Sequence, residues 1–323
     1  MLRSYQYTEK SYLDYSMQNN IFQMKEIDIA RRYVESHHIR KDLQRDCPIC
    51  GSKQGKYFFT KWNVDYLCCE KCDSLYAVCD EDVVTGYLFF QDLLDFRLSE
   101  EYQLQIAKSR QTVWSEFLEW VEVRAYRFLG RNRNLNIIDI GNRLSELVKM
   151  TKNFEICGKY ELMSPIYKNE YDKIGKGEAD VVFYNDAIKT EFHPSDRIQF
   201  LKEYLKEDGL LFIGARAGSG FDIITLKENN TKIYPYEHIL LPSAKGITKF
   251  LEDNGFEVLE ITTPGVMDVK YVLEDIDKLG DQEEFVKYLL KDRDETKLQE
   301  FQRFLQKSCM SSFIRVIARK ARS

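Results

Sequence analysis

The stretch that most constrains this chain is Leu135-Asn136-Ile137-Ile138-Asp139-Ile140-Gly141. Its apolar residues are mostly β-branched, and the run meets an acid and then a glycine, which reads as a buried parallel strand ending in a tight turn. Leu144, Leu147, Val148 and Thr151 follow at helical spacing, so strand, turn and helix come in order. In a doubly wound sheet, ligands bind where such a first strand ends and its helix begins. Asp139 and Gly141 are therefore candidate cofactor-binding residues.

The downstream sequence continues the alternation. Phe154 to Glu161 reads as a second strand ending on an acid, and Glu161 lies 22 residues beyond Asp139. An acid about 20 residues past the first turn is where a nucleotide-binding sheet holds ribose hydroxyls, so Glu161 joins the candidates. The spacing predicts that Asp139 and Glu161 sit at neighbouring strand tips and face one pocket. Ala179 to Tyr184 is a further strand tipped by Asn185 and Asp186, and Asp186 completes the cofactor set. Pro194 opens a helix carrying Ile198, Leu201 and Leu205 and closed by Gly209, and the next strand runs from Gly209 to Gly214. Ser243 caps a helix ending at Gly255, and Phe256 to Thr262 is another strand. Two acidic helices, about 282–290 and 295–305, lead to a last strand at Ser312 to Ala318.

The clearest local chemistry lies upstream. Cys47-Pro48-Ile49-Cys50 is followed after 18 residues by Cys69-Glu70-Lys71-Cys72. Two Cys-x-x-Cys pairs at this separation suit a structural zinc held by four thiolates, with no coordination position left for water. Lys56 to Thr60 and Val64 to Leu67 read as two strands of a ribbon between the pairs. Cys68 competes with Cys69 but lacks the spacing to Cys72. His37 and His38 precede the module, and solvated surface is their plainer reading. Before it, Met24, Ile27, Ala30, Tyr33 and Val34 make one helical face; after it, Trp114, Phe117, Leu118, Val121, Ala125 and Phe128 make another, stopped by Gly130. The run Phe89 to Phe96 reads as packing between ribbon and sheet, with a substrate groove as the sharper alternative.

Composition bounds the rest. With 323 residues and 44% hydrophobic content the chain can bury a sizeable core, and a net charge of -5 argues against a broad nucleic-acid surface. No apolar run nears the ~20 residues of a membrane span, and the polar N-terminus lacks a secretory signal's apolar core, so a cytoplasmic protein is expected. The expected organisation is a helical segment at 1–45, a zinc ribbon at 46–80, a helical linker at 81–133 and a Rossmann-like domain at 134–323.

With these residues placed, the region from about 134 to 319 resembles class I S-adenosylmethionine (SAM)-dependent methyltransferases of bacterial sugar and polysaccharide clusters. The resemblance rests on KEYLKEDGLLFIGARAGSGFDI, YPYEHILLPSAKGITKFLEDNGFEVLEITTPGVMDV and SSFIRVIARK. The cysteine module is similar to the zinc ribbon of sugar C-methyltransferases. The resemblance implies an α/β, Rossmann-like seven-stranded sheet whose last strand is antiparallel and inserted beside the sixth. It also implies SAM as methyl donor and a sugar or nucleotide-sugar acceptor, with the ribbon as a possible contact for a protein partner. The chain departs from that pattern at Arg143 and Ser145, where further glycines are expected, and in the short stretch between Glu161 and Asp180, where a helix and third strand are shortened or lost. A non-catalytic binding domain of the same fold is therefore the alternative. Among four histidines, His193 and His238 fall on loops expected near strand ends and are the candidate general bases; a helix-entry histidine and a packed loop tip are their plainer readings. Gly218-Ser219-Gly220 offers either backbone amides for an anion or a tight turn.

Overall fold

The computed structural model describes residues 2–3, 20–37, 44–130, 134–164 and 172–322. His38 lies outside them. In chain order the elements begin with β1 (Leu2–Arg3) and α1 (Asn20–Ser36). The cysteine module follows as β2 (Gly55–Lys61), β3 (Val64–Cys69) and β4 (Leu75–Val78), then α2 (Glu81–Leu88), α3 (Gln91–Leu98) and α4 (Glu100–Leu129). The alternating region runs β5 (Leu135–Ile140), α5 (Ser145–Lys152), β6 (Cys157–Met163), β7 (Ala179–Asn185), α6 (Pro194–Tyr204), β8 (Leu205–Arg216) and α7 (Phe221–Leu226). It ends with β9 (Leu240–Leu241), α8 (Ala244–Asp253), β10 (Phe256–Thr262), α9 (Asp268–Glu274), α10 (Glu284–Leu290), α11 (Glu295–Lys307) and β11 (Phe313–Lys320).

The central sheet has the order β1-β10-β11-β8-β7-β5-β6. β11 is antiparallel to both β10 and β8 and lies between them, and the other pairings are parallel. This is the expected Rossmann-like α/β sheet with its reversed last strand. Its make-up differs in one respect. Six full strands come from the alternating region, and the seventh is the two-residue β1, paired with β10 at the opposite edge from β6. Among the described residues no strand lies between Met163 and Ala179. The described stretch before β7, residues 172–178, is seven residues of loop and turn and holds neither a helix nor a strand.

The two sheet faces bury different partners. On one face Ile138, Ile140, Val182, Tyr184, Leu211 and Ile213 pack against α6, α8 and the cysteine module. On the other, Ile137, Tyr160, Leu162, Val181, Phe183 and Phe212 pack against the aromatic stripe Trp114, Phe117 and Trp120 of α4. Ser99 caps α4 by accepting from the Tyr102 amide, and Gly130 ends it in a left-handed conformation with φ 86°. The expected apolar face continues to the helix end, with Phe128 partly buried and Leu129 buried against the same cluster. A smaller apolar cluster joins α7, α9, α10 and α11.

Three local expectations shift. In α1, Met24 points to solvent, and the buried face is Phe22, Glu26, Ile29, Ala30, Tyr33 and Val34. Hydrophobicity alone misplaced that face because it carries a buried acid, Glu26, which Arg97 meets at 2.7 Å. The strand expected from Gly209 starts at Leu205, which pairs with Ala179, and Gly209 falls in a bulge between that pairing and Val181↔Leu210. The cysteine module is not separate from the sheet region: β4 pairs with β9, so its sheet runs β2-β3-β4-β9. Tyr66 Oη donates to His238 O at 2.9 Å, and Ser243 N donates to Ser74 Oγ at 3.1 Å, which fastens the loop before α8 to the module.

Candidate functional site

The four cysteines of the two pairs converge. Their sulfurs all lie within 4.8 Å of one another, with Cys47–Cys72 at 3.6 Å and Cys50–Cys69 at 3.5 Å. A tetrahedron with Zn–S bonds of about 2.3 Å has S···S edges of about 3.8 Å, so the cluster fits zinc with little adjustment. Each pair closes with the same turn: Gly51 N donates to Cys47 O and Asp73 N to Cys69 O, both at 2.8 Å. The residue after each second cysteine is left-handed, Gly51 at φ 66° and Asp73 at φ 59°. Cys68 and Cys79 stay outside the cluster. His37 stacks on Tyr33 at the end of α1, 3.9 Å between ring centroids, its Nδ1 2.8 Å from Tyr33 O.

A cavity of about 1100 Å³ opens at the carboxyl ends of β5, β6, β7 and β8. Such a crevice is the standard ligand position of an open α/β sheet. Gly141, with φ 141°, turns the chain out of β5 at its floor. Beside it Arg143 is almost wholly buried and bridges two strand tips. Its Nε is 3.3 Å from Asp139 Oδ2, its Nη2 donates to Asn185 O at 2.7 Å, and its guanidinium lies 4.8 Å from the Trp114 ring centroid. Tyr160 Oη donates to the same Asp139 oxygen at 2.9 Å. Burial pushes the Asp139 carboxyl upward, while Arg143 and Tyr160 oppose that. Three polar atoms here are buried without a well-formed hydrogen bond: Asp139 Oδ1, Asn185 Oδ1 and Arg143 Nε, the last held only by its 3.3 Å ion pair with Asp139 Oδ2. Asn185 also requires Gly214 on β8, because a Cβ there would stand 1.7 Å from Asn185 Oδ1.

The sequence-assigned site residues divide accordingly. Gly141 and Asp186 line the cavity, whereas Asp139 and Glu161 do not. The register explains this. Ile138 pairs with Glu161 and Asp139 with Leu162, so the two carboxyls leave opposite faces of the sheet. Asp139 lies under Arg143, and Glu161 Oε2 accepts from the Ile174 amide at 2.7 Å on the far side. The expectation that both acids face one pocket is corrected by that one-residue parity. Asp186 is held at about 2 against the pull of burial by Lys189, 2.8 Å away, and by Arg110.

The two histidines reach the cavity in different states. His238 is buried, and its Nδ1 accepts from the Tyr234 amide at 3.1 Å, which places the proton on Nε2. Burial, with Lys189 nearby, lowers it to about 3. A ring whose lone pair is already engaged and which stays neutral is a hydrogen-bond donor to the cavity, not the base expected from sequence. His193 lies exposed at the rim before α6, with Nε2 3.2 Å from Glu81 Oε2 on α2. A carboxylate acceptor there keeps the proton on Nε2 and leaves Nδ1 with its lone pair. The Gly218-Ser219-Gly220 turn does not present amides to the cavity: Gly218 N donates to Pro242 O, Gly220 N to Ala217 O, and a Cβ at either would collide with Leu75 or Ser312. The aromatics of the Phe89 to Phe96 run do not line the cavity either; Phe96 packs on Phe22 and Tyr102.

Sequence reasoning missed Arg97, Arg110, Lys189, Arg216 and Lys232 as lining residues. No motif marks them, since they arrive from separate helices, strand ends and loops. No family model matches the chain, and no curated protein does. Similar solved structures include geranyl diphosphate C-methyltransferase from Streptomyces coelicolor A3(2) in complex with Mg2+, geranyl diphosphate and S-adenosyl-L-homocysteine, with 11% identity, 92% of this chain and 98% of that chain covered, and a TM-score of 0.41. The plantazolicin methyltransferase BpumL in complex with SAH has 14% identity, coverages of 75% and 95%, and a TM-score of 0.42. Coclaurine N-methyltransferase bound to N-methylheliamine and SAH has 10% identity, coverages of 94% and 89%, and a TM-score of 0.35. No residue assignment rests on these likenesses.

Proposed function

We propose that the chain is a SAM-dependent methyltransferase acting on a small-molecule acceptor, a sugar or glycan-related compound, with a structural zinc on Cys47, Cys50, Cys69 and Cys72. One observation carries the donor assignment: the Arg143 guanidinium, whose Nε faces Asp139 at 3.3 Å, and a leftover acceptor, Asn185 Oδ1, stand together at the tips of β5 and β7 beside the Gly141 turn. A carboxylate and an ammonium on one ligand answer such a pair, and the amino-acid end of SAM carries both. SAM would supply an electrophilic sulfonium methyl group. The chain's own residues would hold and orient. Arg143 binds the carboxylate, Asn185 and Asp186 receive the ammonium, and Gly141 lets the backbone approach closely. His193, with Glu81 orienting it, is the group placed to take a proton from an acceptor hydroxyl at the rim, and His238 Nε2 donates a hydrogen bond to the acceptor. Support for a sugar acceptor comes from the resemblance of the ribbon and of the second half of the chain.

A second reading, a binding domain without catalysis, is favoured by one specific observation: Glu161 is turned to the far face, so the ribose lacks its usual carboxylate partner. Calorimetric titration with S-adenosylhomocysteine separates the two. The methyltransferase reading expects binding that Arg143→Met weakens. No binding of either S-adenosylhomocysteine or SAM at millimolar concentration leaves the binding-domain reading.

A further inference from the structure

The helices before β5 each turn one face to the cavity, and much of what they present is aliphatic. On α2 it is Val84 and Leu88, on α3 Leu94 and Leu98, and on α4 Ile106. Residues four apart are neighbours on a helix surface, so each pair makes a continuous strip. The core does not account for all of them. Leu94 and Leu98 line the cavity yet join none of the three buried apolar clusters, and Leu98 is 50% exposed. A leucine held half in water on a cavity wall is apolar surface that a ligand gains by covering.

The aliphatic strip lies beside both histidines. Glu81, three residues before Val84 on the same face of α2, meets His193 at 3.2 Å. Arg97, between Leu94 and Leu98 on α3, pairs with Glu26 at 2.7 Å and also with Glu237, the residue before His238. These two charged side chains reach across to partners, and the leucines stay between them. The facing wall, built from the β7 end and the loop before β9, is polar, with Asp186, Lys189, Glu237 and His238. A space with one aliphatic wall and one polar wall suits an amphiphile, because a uniformly polar molecule would lose water against the leucines without replacing its hydrogen bonds. The space is also large. Its volume of about 1100 Å³ exceeds the ~300–1,000 Å³ of a single drug-sized site, so a ligand at the Arg143 end leaves the aliphatic end open.

We propose that Leu88, Leu94 and Leu98, backed by Val84 and Ile106, form a subsite for an alkyl group on the acceptor. The acceptor is then a hydroxylated molecule with an apolar substituent, and not a bare sugar. Its alkyl group lies on the strip from α2 and α3, and its hydroxyl faces His193 and His238. The direction of the hydroxyl rests on the methyltransferase reading; the alkyl subsite does not.

The test is calorimetric titration of the full chain with methyl, butyl, hexyl and octyl β-D-glucoside, each below its micelle-forming concentration, alongside S-adenosylhomocysteine. Affinity should rise with chain length, by up to about fourfold per methylene, with one glucoside bound per chain. Leu98→Gln should flatten that rise and leave S-adenosylhomocysteine binding unchanged. Because Leu98 is half exposed and outside the buried clusters, the variant should keep the wild-type thermal melt. Equal affinity across the series, no binding of any glucoside at ten-millimolar order, or an undiminished rise in folded Leu98→Gln overturns the subsite. A rise with chain length but no S-adenosylhomocysteine binding keeps the subsite and removes the methyl-transfer reading; S-adenosylhomocysteine binding with no such rise does the reverse.

Discussion

Acidification should destabilise this protein through His238 before the carboxylates begin to dominate. The ring is 6% exposed, stacks near Tyr234 and accepts from its amide, and is faced by Lys189, Glu237, Arg216 and Asp186. Burial and Lys189 lower it from an ordinary 6.5 to about 3. Its folded value is thus below its unfolded one, so the unfolded chain takes up the proton first. The stabilisation is complete above pH 6.5 and is lost as the pH falls towards 3. At ~1.36 kcal/mol per pH unit the whole interval is worth roughly 5 kcal/mol, and about half of it is lost by pH 4.5. A typical domain has about 5–15 kcal/mol in total, so the loss is measurable. Denaturant unfolding at pH 7.5, 6.5, 5.5 and 4.5 should give a steeper decline for the wild type than for His238→Gln, whose side-chain oxygen can still accept from Tyr234 without titrating. With only four histidines, long-range 15N–1H spectra resolve each ring. His238 should stay neutral with its proton on Nε2 down to pH 4.5. A His238 midpoint near 6.5, or a proton on Nδ1, would refute both the stability argument and its role as a donor in the cavity.

Other outcomes follow from the same geometry. Purified protein should contain one zinc per chain by elemental analysis, and Cys47→Ser should remove it. Because β4 pairs with β9, chelation should also raise hydrogen exchange at Ala77, whose amide donates to Ile239 O, and unchanged exchange there would count against that coupling. Gly214→Ala should cost about 1–3 kcal/mol by pushing Asn185 off β8, read as a lowered melting temperature. Glu161→Ala should leave affinity for any cavity ligand unchanged while loosening the loop at Ile174, since its carboxylate serves that amide. A Glu161→Ala variant with abolished S-adenosylhomocysteine binding would restore the ribose role.

Much of the architecture is written in local periodicity. The run 135–141, the spacing of Leu144, Leu147, Val148 and Thr151, and the stripe on α4 each specify an element by which side chains must leave water. The two Cys-x-x-Cys pairs specify their own convergence, because each closes a turn of fixed reach and left-handed residues follow both. Tertiary structure decided what depends on pairing between distant segments. Glu161 leaves the wrong face because strand parity, not distance from Asp139, sets direction, and a single residue of register reverses it. The seventh strand comes from the extreme N-terminus, since any short extended segment can satisfy the open edge of β10. Arg143 reads in sequence as an intruder among expected glycines; only the approach of β7 gives it Asn185 O to hold and Trp114 to lie against. The packing of Arg216 and Lys232 on Tyr271 needed β8, the loop before β9 and α9 to meet, and long polar side chains carry no periodic signature of where their heads will gather.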